Sequence, residues 1–262
     1  MTADANSALA GTWQRLVLVG MTAGLFATLF GVGGGIVMVP MLTLFVGFDT
    51  KVATATSLAA IIVTATVGVI THGALGNVAW GYALLIGLPA VVGVLGGLWI
   101  KDRITTRALT FAFAALLALV GIWLASKPTH SGAAVVDLTI LRALAVAALG
   151  LVAGALAGLF GVGGGILFVP ALTLIVGVPQ LRAEGASLLA IIPVSLLGSW
   201  RQHKAGTVRW GAAGVMGAAS VPTAVVGAFI ADATPPRALR LLFAALMIAT
   251  AAQMAVRARR SA

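Results

Sequence analysis

The chain contains no cysteine, and few of its side chains carry charge. Without cysteine there are no disulfides, thiolate metal sites or iron–sulfur clusters. Charged residues make up 8% of the 262 residues, and hydrophobic residues make up 61%. A soluble domain of this size needs about 25% charged residues to clothe its surface. The composition therefore excludes a soluble fold and places the chain in a membrane. Acidic groups are the scarcest. There are six Asp and Glu against 16 Lys and Arg, giving a net charge of +10. The basic residues sit between apolar runs rather than on one face, which argues against nucleic acid and for cationic loops beside anionic lipid. Residues 1–12 carry no positive n-region, so a cleaved signal peptide is not expected. The apolar runs are continuous rather than alternating, which argues against a β-barrel.

What the sequence does have is an internal repeat. Gly31-Val32-Gly33-Gly34-Gly35-Ile36 recurs as Gly161-Val162-Gly163-Gly164-Gly165-Ile166, a shift of 130 positions. The same shift carries Pro40 to Pro170, Gly47 to Gly177, Ser57 to Ser187, Trp80 to Trp210 and Asp102 to Asp232. The expected domains are a first membrane repeat at 13–127, a linker at 128–138 and a second membrane repeat at 139–256. Each half reads as five apolar segments: 13–30, 36–48, 52–71, 79–100 and 106–126, then 139–160, 166–177, 183–200, 209–230 and 238–256. The second segment of each half is too short for a hydrocarbon core of about 30 Å. Segments one and two are therefore expected as broken or half helices meeting at the glycine run.

Counting basic residues decides between two topologies. If segments one and two together cross once, the repeats are parallel and the two faces hold nine and seven Lys or Arg. If they enter and leave as a hairpin, the repeats are inverted. The terminal face then holds eleven, and the other face holds five: Lys127, Arg142, Arg182, Arg237 and Arg240. The expected fold is an all-α polytopic membrane protein of two inverted repeats. Each repeat has about five helical segments and opens with a Gly-interrupted helical hairpin. Both termini are expected in the cytoplasm. Short, Gly-interrupted segments at matching positions of inverted repeats point to a secondary transporter.

Candidate site residues follow from this. A helix starting after Gly35 or Gly165 presents free N–H groups and a positive dipole end to an anion. Gly31, Gly33, Gly34 and Gly35, with Gly161, Gly163, Gly164 and Gly165, are the expected substrate-binding backbone. Ser57 and Ser187 are added hydroxyl donors, although a Ser in a helix often bonds its own turn instead. Gly20-xxx-Gly24, Gly93-xxx-Gly97 and Gly150-xxx-Gly154-xxx-Gly158 read as helix-packing motifs. His72, His203 and Glu184 are the candidates for proton-linked or gating roles, weighed against interfacial caps and a topology anchor. No Gly-Lys-Ser/Thr follows the glycine runs, so nucleotide binding is rejected. No Ser/His/Asp group, His-x-x-x-His pair or carboxylate cluster appears. An enzyme, a metal site and a cofactor are therefore not expected. The competing readings are a cation or metal permease, which needs buried acids or imidazoles, and a non-transporting assembly scaffold. Trp13, Trp80, Trp99, Trp123, Trp200 and Trp210 fall at segment ends, as in an interfacial belt.

These residues also carry a resemblance. Two copies of Gly-Val-Gly-Gly-Gly-Ile…Val-Pro…Leu-Thr-Leu…Gly are followed by Ala-(x)₃-Ser-Leu and Gly-x-Val-x-Trp, from Gly31 to Trp80 and from Gly161 to Trp210. The pattern resembles the TauE/SafE sulfite exporter family. The resemblance implies an inner-membrane permease, an exporter of small sulfur-containing anions such as sulfite, sulfoacetate and related organosulfonates, working within sulfur metabolism. It does not fix which anion, the coupling or the oligomeric state. The second half departs in detail: Glu184-Gly185 replaces Thr54-Ala55, and Pro193 replaces Val63.

Overall fold

The structure, a computed structural model, describes residues 2–126 and 139–260. The expected linker at 128–138 lies outside the described residues. Every regular element among the described residues is helical. The first half contains α1 (Thr2–Leu29), α2 (Gly35–Met41), α3 (Thr50–Ala74), α4 (Trp80–Arg103) and α5 (Thr106–Ser126). The second contains α6 (Ile140–Phe160), α7 (Gly165–Ala171), α8 (Gln180–Lys204), α9 (Trp210–Ala233) and α10 (Pro236–Arg260). A π-helical turn extends α2 over Leu42–Val46 and α7 over Leu172–Val176. Seven helices among the described residues are long and apolar enough to cross a membrane.

One expectation needs correcting. Segments one and six are not broken: α1 runs 28 residues and α6 runs 21 without interruption. Their glycines do not break them because those glycines are packed against a neighbouring helix. Only the second segment is short. Gly35–Val46 is an apolar helix that reaches about 18 Å at ~1.5 Å per residue, well under the ~30 Å core. It returns part-way rather than crossing.

The packing glycines also give helix direction. Gly20 sits on Met216, Gly24 on Ser220 and Gly227 on Leu25, so α1 and α9 lie side by side in the same sense. Gly150 on Ile86, Gly154 on Ala90 and Gly158 on Val94 make the equivalent parallel pair of α6 and α4. A Cβ added at Gly154 would stand 2.0 Å from the Ala90 carbonyl oxygen. Contact this close between backbones is what small residues in membrane helices permit. Val63 against Gly217 and Thr64 Oγ1 2.8 Å from Ser220 Oγ align α3 with α9. Gly87 on Ala190 and Gly198 beside Val94 align α8 with α4. Between α3 and α8 the pairs run the other way, with Leu58 near Gly198 and Gly68 near Leu188.

So α1, α3 and α9 share one direction, and α4, α6 and α8 share the opposite one. Each helix is antiparallel to its sequence equivalent, and the repeats are inverted. Because α1 and α3 are parallel, α2 between them must turn back, as the hairpin topology requires. The terminal face holds the start of α1 and the end of α10. The far face holds the α3–α4 loop and the starts of α6, α8 and α10. The repeats interlock: the first helix of each lies along the fourth helix of the other, and α3 and α8 cross between them. Five of the six tryptophans lie near helix ends, Trp13 lies inside α1, and all six are about half exposed, as in an interfacial belt.

Candidate functional site

The two glycine runs meet at the mid-length of α3 and α8. Gly33 lies against Ile61 and Ile191, and Gly163 touches the same pair. Gly35 presses on Val162, and Gly165 presses on Val32. An added Cβ would lie 2.4 and 2.5 Å from those two Cα atoms. The runs need glycine for a second reason. Gly31, Gly33 and Gly34 have φ of 67°, 73° and 90°, and Gly161, Gly163 and Gly164 have 70°, 75° and 92°. These are left-handed conformations that cost an L-residue about 1–2 kcal/mol each. The left-handed Gly34 and Gly164 cap α2 and α7. Val37 and Met38 donate to the Gly34 carbonyl at 3.1 and 2.9 Å, and Leu167 and Phe168 donate to Gly164 at 3.0 and 3.2 Å. The amides ahead of them in the first turn have no intrahelical acceptor. Because α2 and α7 run oppositely and start beside each other, their positive dipole ends converge at the molecular centre.

The two serines are used differently from a free donor. Ser57 Oγ donates to Gly161 O at 2.6 Å, and Ser187 Oγ donates to Gly31 O at the same distance. Each hydroxyl therefore reaches across to the first carbonyl of the other repeat's run. Both serines are fully buried. They hold the runs in place, and sequence alone gave no sign of that partner. Ile61 and Ile191, which fill the space between the runs, were visible in the sequence only as a matched pair.

The titratable candidates separate. His72 is fully buried, and its Nε2 donates to Thr28 O at 2.9 Å, leaving Nδ1 without a partner. His203 is exposed, and its Nδ1 accepts from Trp210 Nε1 at 3.0 Å. The residue 130 positions after His72 is Gln202, which is buried. His203 stands one residue further on, a rotation of about 100° around the helix that turns it outward. Glu184 is fully buried in the first turns of α8, with its backbone against Gly31. Gln180 Nε2 donates to its Oε1 at 2.8 Å, and Oε2 has no partner. The sequence-predicted residues that come together are thus the two glycine runs, Ser57, Ser187 and Glu184. His72 sits towards the far face, and His203 lies at the terminal face.

The two faces are closed differently. On the far face the α3–α4 loop lies over the start of α8, with the Asn77 carbonyl on Gly185, and Asn77 Nδ2 donates to Asp232 Oδ1 at 2.6 Å. On the terminal face a cleft of about 240 Å³ opens between the ends of α4 and α8, lined by Leu98, Asp102, Arg201 and Gln202.

The sequence model described as "Sulfite exporter TauE/SafE" matches residues 16–148 and again 146–262. The chain belongs to the TauE/SafE family. The paired TauE/SafE match also reflects the duplicated fold. Among relatives, a "Probable membrane transporter protein" of Xylella fastidiosa is 32% identical over 195 residues, covering 74% of this chain and 73% of its own. "Probable membrane transporter protein MJ0441" of Methanocaldococcus jannaschii is 29% identical over 189 residues, covering 70% of this chain and 69% of its own. "Probable membrane transporter protein YunE" of Bacillus subtilis is 29% identical over 217 residues, covering 74% of this chain and 80% of its own. This TauE/SafE member is therefore a multi-pass membrane protein of a transporter family.

Proposed function

We propose that the protein is a permease for small sulfur-containing oxyanions such as sulfite and organosulfonates, and an exporter when the internal concentration is the higher. The observation that carries this reading is the convergence of two inverted helix starts on one glycine-lined centre. Backbone N–H groups there favour negative charge without a fixed cation. Gly31, Gly33, Gly34 and Gly35 and their counterparts Gly161, Gly163, Gly164 and Gly165 would cradle the anion. Ser57 and Ser187 set the carbonyls beside it. Rocking of one repeat against the other would alternate access. The closed packing of Ile61 and Ile191 on Gly33 and Gly163 fits a state in which neither face reaches the centre. The family to which the chain belongs supports the substrate class. The excess of Lys and Arg on the terminal face supports cytoplasmic termini in an inner membrane.

Purified protein in liposomes should release sulfite or sulfoacetate faster than empty liposomes, with no matching release of monovalent or divalent cations. If neither anion moves, the substrate reading fails. Gly33→Leu or Gly163→Leu places a side chain between the isoleucines. A folded variant of either should lose at least tenfold in flux. Unchanged flux would remove the glycine runs as the site.

A further inference from the structure

The two repeats share backbone and serine bonds at the centre, but one position there breaks the symmetry chemically. Position 54 of the first repeat is Thr, and its Oγ1 donates to Lys51 O at 2.9 Å. The matching position of the second repeat is Glu184. Each backbone lies against the other repeat's glycine run, Thr54 on Gly161 and Glu184 on Gly31. Glu184 also lies one helical turn ahead of Ser187, on the face of α8 whose hydroxyl donates to Gly31 O. A carboxyl thus borders the proposed anion centre at one end only.

The surroundings of this carboxyl are unusual. It is fully buried; Gln180 is its one hydrogen-bond partner among the described residues, and Oε2 has none. The ionisable groups towards the far face on the elements packed around it are His72 on α3, Tyr82 on α4, Arg142 on α6 and Asp232 on α9, with Arg182 on α8 itself. The far ends of α1 and α7 bring none. Helix α10, with Arg237 and Arg240, packs on α5 and α2. His72 Nε2 is engaged by Thr28, and Asp232 by Asn77. Among the described residues, Gln180 is the hydrogen-bond partner found at the Glu184 carboxyl, and that partner is a neutral amide. An ionised carboxylate in apolar surroundings, without a countercharge and with one oxygen unsatisfied, is strongly disfavoured.

We propose that Glu184 is a proton-carrying site, neutral in the closed state, and that the anion and one proton are occluded and released together. This deepens the permease reading and rests on it. The physical link is like-charge repulsion: an anion held by the Gly31 run next to a carboxyl in a low-dielectric interior favours the protonated acid. Binding of either one promotes binding of the other, so the coupling is cotransport rather than exchange. The proton balance is simple. The acid O–H forms by taking a proton from the side where the anion loads. It breaks to carboxylate and a proton when the centre opens on the other side. The closed far face fits this scheme. The Asn77 carbonyl over Gly185 and the Asn77–Asp232 bond cover the residue next to Glu184 and must part before water reaches it.

The test uses the full chain in liposomes clamped at zero membrane potential, with sulfite and sulfoacetate run in parallel. Sulfoacetate is included because a sulfonate does not cross lipid as a neutral acid. With equal anion on both sides, a pH difference of one unit should drive net anion flux from the acid to the alkaline side. An internal pH dye should report proton movement that depends on the anion. Glu184→Gln should keep anion counterflow within a few-fold and lose the pH-driven flux at least tenfold. Glu184→Asp should restore part of it. Anion flux without proton movement, flux toward the acid side, or a Glu184→Gln variant still driven by pH overturns the proposal. The wild-type measurement decides alone if the Gln variant does not fold. Absence of all wild-type anion flux overturns the permease reading and takes the coupling with it. Flux without coupling overturns the coupling alone.

Discussion

The two halves of this protein agree at their centres and disagree at their ends. At the centre, the six left-handed glycine φ angles match pairwise within a few degrees, and the two serine bonds have the same length. At the ends, buried His72 is matched by buried Gln202, and buried Lys101, which donates to Lys51 O at 3.1 Å, is matched by the small Ala231. Thr50 and Thr110 share a hydrogen bond at 3.2 Å where the second half has Gln180 and Arg240. The difference has a physical origin. A fold built from inverted copies places equivalent central residues in nearly identical surroundings around the pseudo-twofold axis. The same residues at helix ends face opposite sides of a membrane, and those sides differ in charge and solvent. Central identity serves the shared backbone, while the ends diversify.

The comparison can be broken at its centre first. Gly35→Ala and Gly165→Ala each drive a methyl into an immovable backbone atom of the other repeat. Each should cost about 3 kcal/mol by overpacking, read as loss of folded protein or as a fall in melting temperature in detergent. The two losses should be equal. A twofold difference would show that the centre is not symmetric in energy. Gly47→Ala is the control. It has no neighbour near its Cβ and, unlike Gly35 and Gly165, a positive φ of 81°, so it should show the backbone cost alone, about 1–2 kcal/mol.

The serine bonds come next in size. Ser57→Ala and Ser187→Ala each leave a buried carbonyl without its hydroxyl. Each should destabilise by about 1–3 kcal/mol, again equally, in the same melting measurement. A neutral result for either would remove that serine as a tie between the repeats.

The smallest effect sharpens the contrast between the faces. Asn77→Ala removes one exposed hydrogen bond to Asp232 and should cost about 0.5–1 kcal/mol. Hydrogen exchange should quicken at the start of α8, around 180–186, and stay unchanged at the start of α3, around 50–56. Equal quickening at both would mean that the far-face contact does not act locally.

Much of this was legible in the sequence because it depends on local pattern. The 130-residue shift paired the helices, and the loop charges chose inversion over parallel repeats. The packing role of Gly20, Gly24, Gly93, Gly97, Gly150, Gly154 and Gly158 followed from their spacing. The continuity of α1 was not legible, since the shortness of the second segment suggested that the first was broken too, whereas the structure puts the break at the glycine run between them. His72 and His203 both end a helix, and the sequence already shows them one residue out of register, with Gln202 at the position that matches His72. A single-residue offset, about 100° of rotation, separates a buried ring from an exposed one.

The sequence by itself determined that this is a membrane protein, that it is two inverted copies, and where the glycine runs fall. Composition, periodicity and charge counts report those directly, since each is a sum over local residues. Only the tertiary structure decided that the runs touch each other, that Ser57 and Ser187 bond across the repeats, and that the Glu184 carboxyl is buried with one oxygen unpaired. Those facts depend on which distant backbone lies within three ångströms. No window of sequence carries that information, because it is fixed only when α3 and α8 cross between the interlocked repeats.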